Sequence, residues 1–203
     1  MKDKGVEEAQ VIEQLQGLRS VQAPGTLLAD VMARVTPRDR YFPLESPVGR
    51  VYVAYNDRGL SAVMLAEDDA AFIATFRRIH GRSTVAADEP PADLVHALAD
   101  ALEGRGLPQL RFDLDDLSEF ERAVLLKALE IPRGQIRPYA WIAQEIGRPH
   151  AMRAVGNALA RNPIPLFIPC HRVVRSDGHI GNYGLGGPVN KRLLLQYEGA
   201  LPA

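Results

Sequence analysis

The sequence predicts an α+β fold: a small amino-terminal β-sheet and helix domain, then a mainly helical carboxy-terminal domain with a helix-turn-helix. Three observations lead there. The alternating run Arg50-Val51-Tyr52-Val53-Ala54-Tyr55 is followed by the turn-forming Asn56-Asp57-Arg58-Gly59 and a return strand over 60–65, the pattern of a hairpin. Segments 68–80 and 92–103 space their apolar residues at helical intervals and end at Gly81 and Gly104, residues suited to a helix stop. Two further helical segments, 139–146 and 150–161, are separated only by Gly147-Arg148-Pro149, and so short a turn between helices predicts a helix-turn-helix.

In chain order, residues 1–39 read as an extension. Segment 6–18 has helical spacing at Val11, Ile12, Leu15 and Leu18, Ala23-Pro24-Gly25 breaks it, and 26–35 is expected to form a second helix. Residues 40–116 form the α+β domain and 117–203 the carboxy-terminal domain. The latter opens with Ser118-Glu119-Phe120-Glu121, a capping-box pattern before a helix over 123–130 that Pro132-Arg133-Gly134 ends. Segment 164–168 reads as an apolar, strand-like stretch stopped by Pro169. That places Cys170 at a strand end, beside His171 and Arg172, groups that favour thiolate over thiol.

Composition narrows the class. A hydrophobic fraction of 46% and a charged fraction of 24% are ordinary for a soluble globular protein. No apolar run approaches the ~20 residues of a membrane span, and the polar start Met1-Lys2-Asp3-Lys4 predicts no signal peptide. A single cysteine and no export signal point to the cytoplasm. The net charge of −1 hides an asymmetry. Residues 133–203 hold nine Lys/Arg against three Asp/Glu, or +6, and residues 1–132 hold fifteen against twenty-two, or −7. The carboxy-terminal part is therefore suited to face phosphates. His80 and His96 are scattered and read as surface or packing residues.

The run Asn162-Pro163-Ile164-Pro165-Leu166-Phe167-Ile168-Pro169-Cys170-His171-Arg172-Val173-Val174 resembles the active-site segment of the O6-alkylguanine-DNA alkyltransferases, or methylated-DNA–protein-cysteine methyltransferases. The resemblance also takes in Ile131-Pro132-Arg133-Gly134, Tyr139 with Ile142-Ala143, and Ile146-Gly147-Arg148-Pro149. It continues through Arg153-Ala154-Val155-Gly156 and Gly181-Asn182-Tyr183 to Leu193-Leu194 and Glu198-Gly199. These keep the family's order and nearly its spacing from about residue 117 onward. Ser46-Pro47-Val48-Gly49 is a looser match in the amino-terminal half.

The resemblance implies repair of double-stranded DNA containing O6-alkylguanine, by irreversible transfer of the alkyl group to Cys170, once per molecule. The damaged base leaves the stack to reach the sulfur. By resemblance, Glu198 orients His171, which takes the thiol proton through a water, and Asn162 braces the turn. Tyr139 crowds the adjoining phosphate and donates to the leaving guanine. Arg153 fills the vacated space in the duplex, while Ala151, Ala154 and Gly156 permit close approach to a minor groove only about 6 Å wide. Small residues in a helix also suit tight helix packing, but Met152, Val155 and Leu159 already supply a core stripe. Val173, Tyr183, Leu159, Pro165 and Gly184 are expected to line the substrate pocket, and the carbonyls of Cys170 and Val173 to read the exocyclic amine. Gly184 departs from members with serine after the tyrosine, which leaves the preferred alkyl group open. No cofactor and no metal are expected; some members carry an amino-terminal zinc site, but no cysteine is present here to supply one. The protein is expected to be monomeric in solution, with cooperativity on DNA left open.

Three rivals remain at this point. A lesion binder would share the fold without transfer. A helix-turn-helix regulator would need polar side chains on its second helix. A cysteine hydrolase would need an oxyanion hole, of which the sequence has no sign.

Overall fold

The computed structural model describes residues 39–105 and 110–202. The helices expected over 6–18 and 26–35 lie outside the described residues. Strands β1 (Asp39–Ser46), β2 (Gly49–Asn56) and β3 (Gly59–Met64) lead into helix α1 (Asp69–His80), strand β4 (Thr84–Ala86) and helix α2 (Ala92–Glu103). Then follow α3 (Glu119–Leu129), β5 (Arg137–Pro138), α4 (Tyr139–Glu145), α5 (Met152–Ala160), a 3-10 turn (Cys170–Arg172), β6 (Val173–Val174) and α6 (Gly187–Tyr197). The class is mixed α and β, as the sequence predicts.

The sheet has the order β3-β2-β1-β4, antiparallel except for the parallel β1–β4 pair. Alternation on β2 explains its two faces. Val51 and Val53 point into the main core, whereas Tyr52 and Ala54 point into a smaller cluster roofed by Phe72 and Phe76 of α1. Both faces are covered, so Val51 to Ala54 are all buried. β1 is an addition to the sequence reading. Pro43 in its middle argues against a strand, because proline cannot donate to a ladder. Here β4 pairs only with Asp39, Arg40 and Tyr41, so Pro43 lies past the end of β4, where no donor is needed.

The outer side of β3 is occupied by segments that lead to the carboxy-terminal helices. Leu60 N–H donates to Arg111 O at 2.9 Å, Asp113 N–H to Leu60 O at 2.7 Å, and Val63 N–H to Pro163 O at 2.8 Å. This approach requires glycine at position 59. Its φ is +138°, and a Cβ there would lie 2.2 Å from the Arg111 carbonyl oxygen. The main core runs from Val51, Val53 and Val63 of the sheet through Leu125 of α3 and Ile142 of α4 to Val155 of α5 and Ile168.

Helix starts follow local chemistry. Asp68 caps α1 by accepting from Ala71 N–H at 2.8 Å. Ser118 and Glu121 form the expected capping box at α3, with Glu121 N–H donating to Ser118 Oγ and Ser118 N–H to Glu121 Oε2. α4 and α5 pack together and are joined by residues 146–151, where Gly147 takes a φ of +69°. Val155, Ala158 and Leu159 form the buried stripe of α5. Met152, expected in that stripe, is exposed. It is the first residue of the helix, and the buried positions begin one turn later at Val155.

Candidate active site

The segment before the cysteine is not a strand. Pro163, Pro165 and Pro169 remove three backbone donors, so no ladder can form. Asn162 organises the chain instead. Its Oδ1 accepts from Ile164 N–H at 3.0 Å, and its Nδ2 donates to Ile168 O at 2.9 Å. Leu166 adopts a left-handed φ of +75°, and Ile168 N–H closes a turn on Ile164 O at 2.9 Å. Cys170 thus begins a 3-10 turn rather than ending a strand.

Two short pairings converge on it. β5 pairs in parallel with β6, Arg137 with Val173 and Pro138 with Val174. Tyr139 follows β5 directly and Cys170 precedes β6 by three residues, so both reach one cavity of about 520 Å³. Its wall also includes Gly156 and Leu159 of α5, with Tyr183 and Gly184 from the loop before α6. Arg175, Gly181 and Asn182 add to the rim. Two expected pocket residues lie off this wall. Pro165 lines a separate cleft toward Met64 and Leu117, and Val173 is fully buried behind the cavity.

Cys170 is 5% exposed, and Asn162 Nδ2 lies 3.1 Å from its sulfur as a donor. Burial pushes the thiol proton affinity up, against the expectation that its neighbours lower it; the Asn162 amide and the Lys191 charge pull the other way without winning. The resting group is therefore a neutral thiol that needs a proton acceptor.

Behind the sulfur, His171 is buried and its Nε2 lies 3.0 Å from Glu198 Oε1. Its Nδ1 is also buried, with no hydrogen-bond partner in the structure. Burial holds His171 below the usual histidine range, outweighing Glu198, so the ring is neutral near pH 7. Glu198 also receives Arg172, which donates Nε to Oε2 at 2.8 Å and Nη2 to Oε1 at 2.9 Å. Arg172 Nη1 reaches the Ile131 carbonyl at 2.7 Å, which ties the end of α3 to the same cluster. Burial alone would raise the Glu198 carboxyl, but the donors from His171 and Arg172 bring it down from 4.5 to about 2.

That shift has a stability consequence. A carboxylate with a depressed folded pKa contributes its full stabilisation above 4.5 and loses it as pH falls toward about 2. The contribution is on the order of 3 kcal/mol near neutrality. Glu198→Gln is expected to lower the melting temperature at pH 7 and to flatten the decline between pH 4.5 and 2. Thermal melts of both proteins across that range check this.

Lys191 was not among the residues expected at the site, although it is 1% exposed. Its Nζ donates to Val173 O at 2.6 Å, sits 3.4 Å from Asn182 O, and lies 5.9 Å from the Tyr139 ring centroid. Burial lowers its pKa to about 8. The signal was in the spacing: Lys191 shares the buried stripe of α6 with Leu194 and Leu195, at i, i+3 and i+4.

The remaining expected residues sit on the outer side of α5. Arg153 and Ala154 are exposed, and Ala151 is half-buried at the helix start. Gly156 faces both ways; a Cβ added there would meet the Tyr139 ring at an unstrained 3.8 Å. Among the described residues no group of three or more His, Cys, Asp or Glu could hold a metal ion. No helix among them is long and apolar enough to cross a membrane.

Comparison with known proteins gives the family. Residues 119–200 match the family described as 6-O-methylguanine DNA methyltransferase, DNA binding domain. The chain is 37% identical to the mouse methylated-DNA–protein-cysteine methyltransferase over 180 residues, covering 81% of this chain and 83% of that protein. This chain belongs to that family. A Methanosarcina barkeri methyltransferase of the same name is 36% identical over 168 residues, covering 78% of this chain and 96% of the relative. The crystal structure of Mycobacterium tuberculosis OGT in complex with DNA aligns with a TM-score of 0.65 at 31% identity, covering 79% of this chain and 93% of that one. Cys170 is the chain's only cysteine.

Proposed function

We propose that this methyltransferase restores guanine in duplex DNA by moving an alkyl group from O6 to Cys170, irreversibly and once per chain. The observation that carries the reading is the setting of the sulfur: a lone buried cysteine on the wall of a base-sized cavity, with the neutral His171 and the ionised Glu198 behind it.

The steps balance as follows. The Cys170 proton passes to His171 Nδ1 through a bridging water, and Glu198 stabilises the imidazolium from the Nε2 side. The sulfur lone pair forms a bond to the alkyl carbon while the carbon–O6 bond breaks, and its electrons move into the guanine ring. The Tyr139 hydroxyl donates toward that developing charge, and the restored guanine takes up one proton at N1, matched by the one the imidazolium releases to solvent. Burial raises the Tyr139 pKa, which keeps it a donor in neutral form. The product is a thioether, with no hydrolytic route back to thiol.

DNA is engaged through α4 and α5 acting as a helix-turn-helix. α5 presents Ala151, Ala154 and Gly156 for close approach to the minor groove. Arg153 occupies the space left when the base turns out, and Tyr139 faces the flipped nucleotide. The exposure of Arg153 and Ala154 supports this reading. Asn162 positions the sulfur, and Leu159, Tyr183 and Gly184 surround the base. The Val173 carbonyl already accepts from Lys191, so contact with the exocyclic amine would use its second lone pair.

The test is intact-protein mass spectrometry after mixing with a duplex carrying one O6-methylguanine. A gain of one methyl, mapped to the Cys170 peptide and saturating at one per chain, supports the reading. An unchanged mass with tight lesion-selective binding would make the protein a damage sensor instead. Arg153→Ala is expected to slow repair of duplex about tenfold or more while slowing transfer from free O6-benzylguanine far less, because only the duplex must be opened. Equal losses on the two substrates would rule out the wedge role.

A further inference from the structure

We propose that Arg175 is a phosphate-positioning residue for the extruded nucleotide, held in reserve by Asp177 until DNA arrives. This rests on the alkyltransferase reading above and deepens it.

Of the described residues lining the cysteine cavity, Arg175 alone carries a charged side chain. It also lines the adjoining surface groove that continues past Asp177 and His179, so it stands where the two meet. A base that enters the cavity brings its own phosphates to that mouth. A guanidinium matches a phosphate with two parallel donors, which a neutral rim cannot do.

The local structure holds this cation without spending it. Arg175 begins a tight turn, its N–H donating to His179 O at 3.0 Å, while Gly178 N–H donates to Arg175 O at 3.1 Å. Its side chain meets Asp177 Oδ2 through Nε at 3.1 Å and through Nη2 at 2.8 Å. That pair is open to water, with side chains 63% and 45% exposed. Such a pair is weak and easily exchanged for a phosphate. Asp177 does not depend on Arg175 for its own place, because Oδ1 accepts from the His179 N–H at 3.1 Å. The arginine can therefore leave while the turn stays.

The test compares single-turnover transfer from a duplex containing O6-methylguanine with transfer from free O6-benzylguanine, read by mass. Arg175→Ala is expected to lower the duplex-to-free-base rate ratio about tenfold. It is also expected to reduce the slope of log affinity against log salt by about one. Arg175→Lys is expected to recover the salt slope but only part of the ratio, because an ammonium lacks the fork. Asp177→Asn keeps the Oδ1 acceptor but removes the charge, and is expected to tighten duplex binding about twofold to fivefold at low salt. An unchanged ratio and salt slope in Arg175→Ala would overturn the proposal, and so would equal losses on both substrates. If the wild-type protein takes an alkyl group from neither substrate, the alkyltransferase reading itself fails, and this proposal with it.

Discussion

Cys170→Ser is expected to leave a protein that folds, binds DNA and transfers nothing. Serine is close in volume, and its hydroxyl can still accept from Asn162 Nδ2, which now donates to the sulfur at 3.1 Å. The turn built by Asn162, Ile164 and Ile168 uses backbone groups the substitution leaves alone. What disappears is the proposed nucleophile. A thiol buried enough to have its proton affinity raised is still ionised by a neighbouring base far more readily than an alcohol. The check is mass spectrometry with the O6-methylguanine duplex, together with a binding titration on the same DNA. Retained methyl transfer would remove the central claim. Loss of binding as well would mean that residue 170 shapes the DNA surface.

Lys191→Met carries the second large effect. The lysine is a buried cation whose charge opposes the effect of burial on the Cys170 thiol. Methionine keeps most of the length of the side chain but not the charge, so the thiol proton affinity rises further. Each unit of that rise costs about tenfold in thiolate. Transfer from free O6-benzylguanine near pH 7 is therefore expected to fall at least about tenfold, with the rate recovering toward alkaline pH. Stability gives an independent readout. Lys191 has a folded pKa of about 8 against 10.5 for the free side chain, so its buried charge costs stability below about 8. That cost is relieved as pH rises from about 8 to 10.5. Wild-type denaturation midpoints are expected to gain this contribution over that range, and the methionine variant to lack it. Identical pH profiles for rate and stability would refute the role of the charge.

The readability of this chain varied with the kind of interaction that decides each element. The β2–β3 hairpin and α2 were legible because alternation and helical spacing are local, and α2 ends where Gly104 takes a left-handed φ of +77°. β1 was not legible, because the harmlessness of Pro43 depends on where β4 stops. β5 and β6 are two residues each, too short for any period, yet they bring Tyr139 and Cys170 together. At the site, Cys170 and His171 could be read from adjacency. The 3.0 Å contact between His171 and Glu198 spans 27 residues and was reachable only through family likeness. Lys191 was in view as a charge on a buried helical stripe, but a lone lysine among leucines is usually taken as solvated. The strand expected before Cys170 failed because three prolines in seven residues leave too few donors, a sign that outweighs the apolar run between them.

The shielding of the sulfur has a consequence beyond reactivity toward a base. On the proposed reading, in which each molecule acts once, loss of the thiol to side chemistry would cost the molecule its function. At 5% exposure and with its proton retained, the Cys170 thiol is a poor target for peroxide and for bulky disulfides, which select exposed thiolates. No second cysteine exists to trap it in an internal disulfide. Under that proposal, the burial that disfavours the thiolate also preserves the thiol through oxidative stress, so that the one transfer remains available when damage is found.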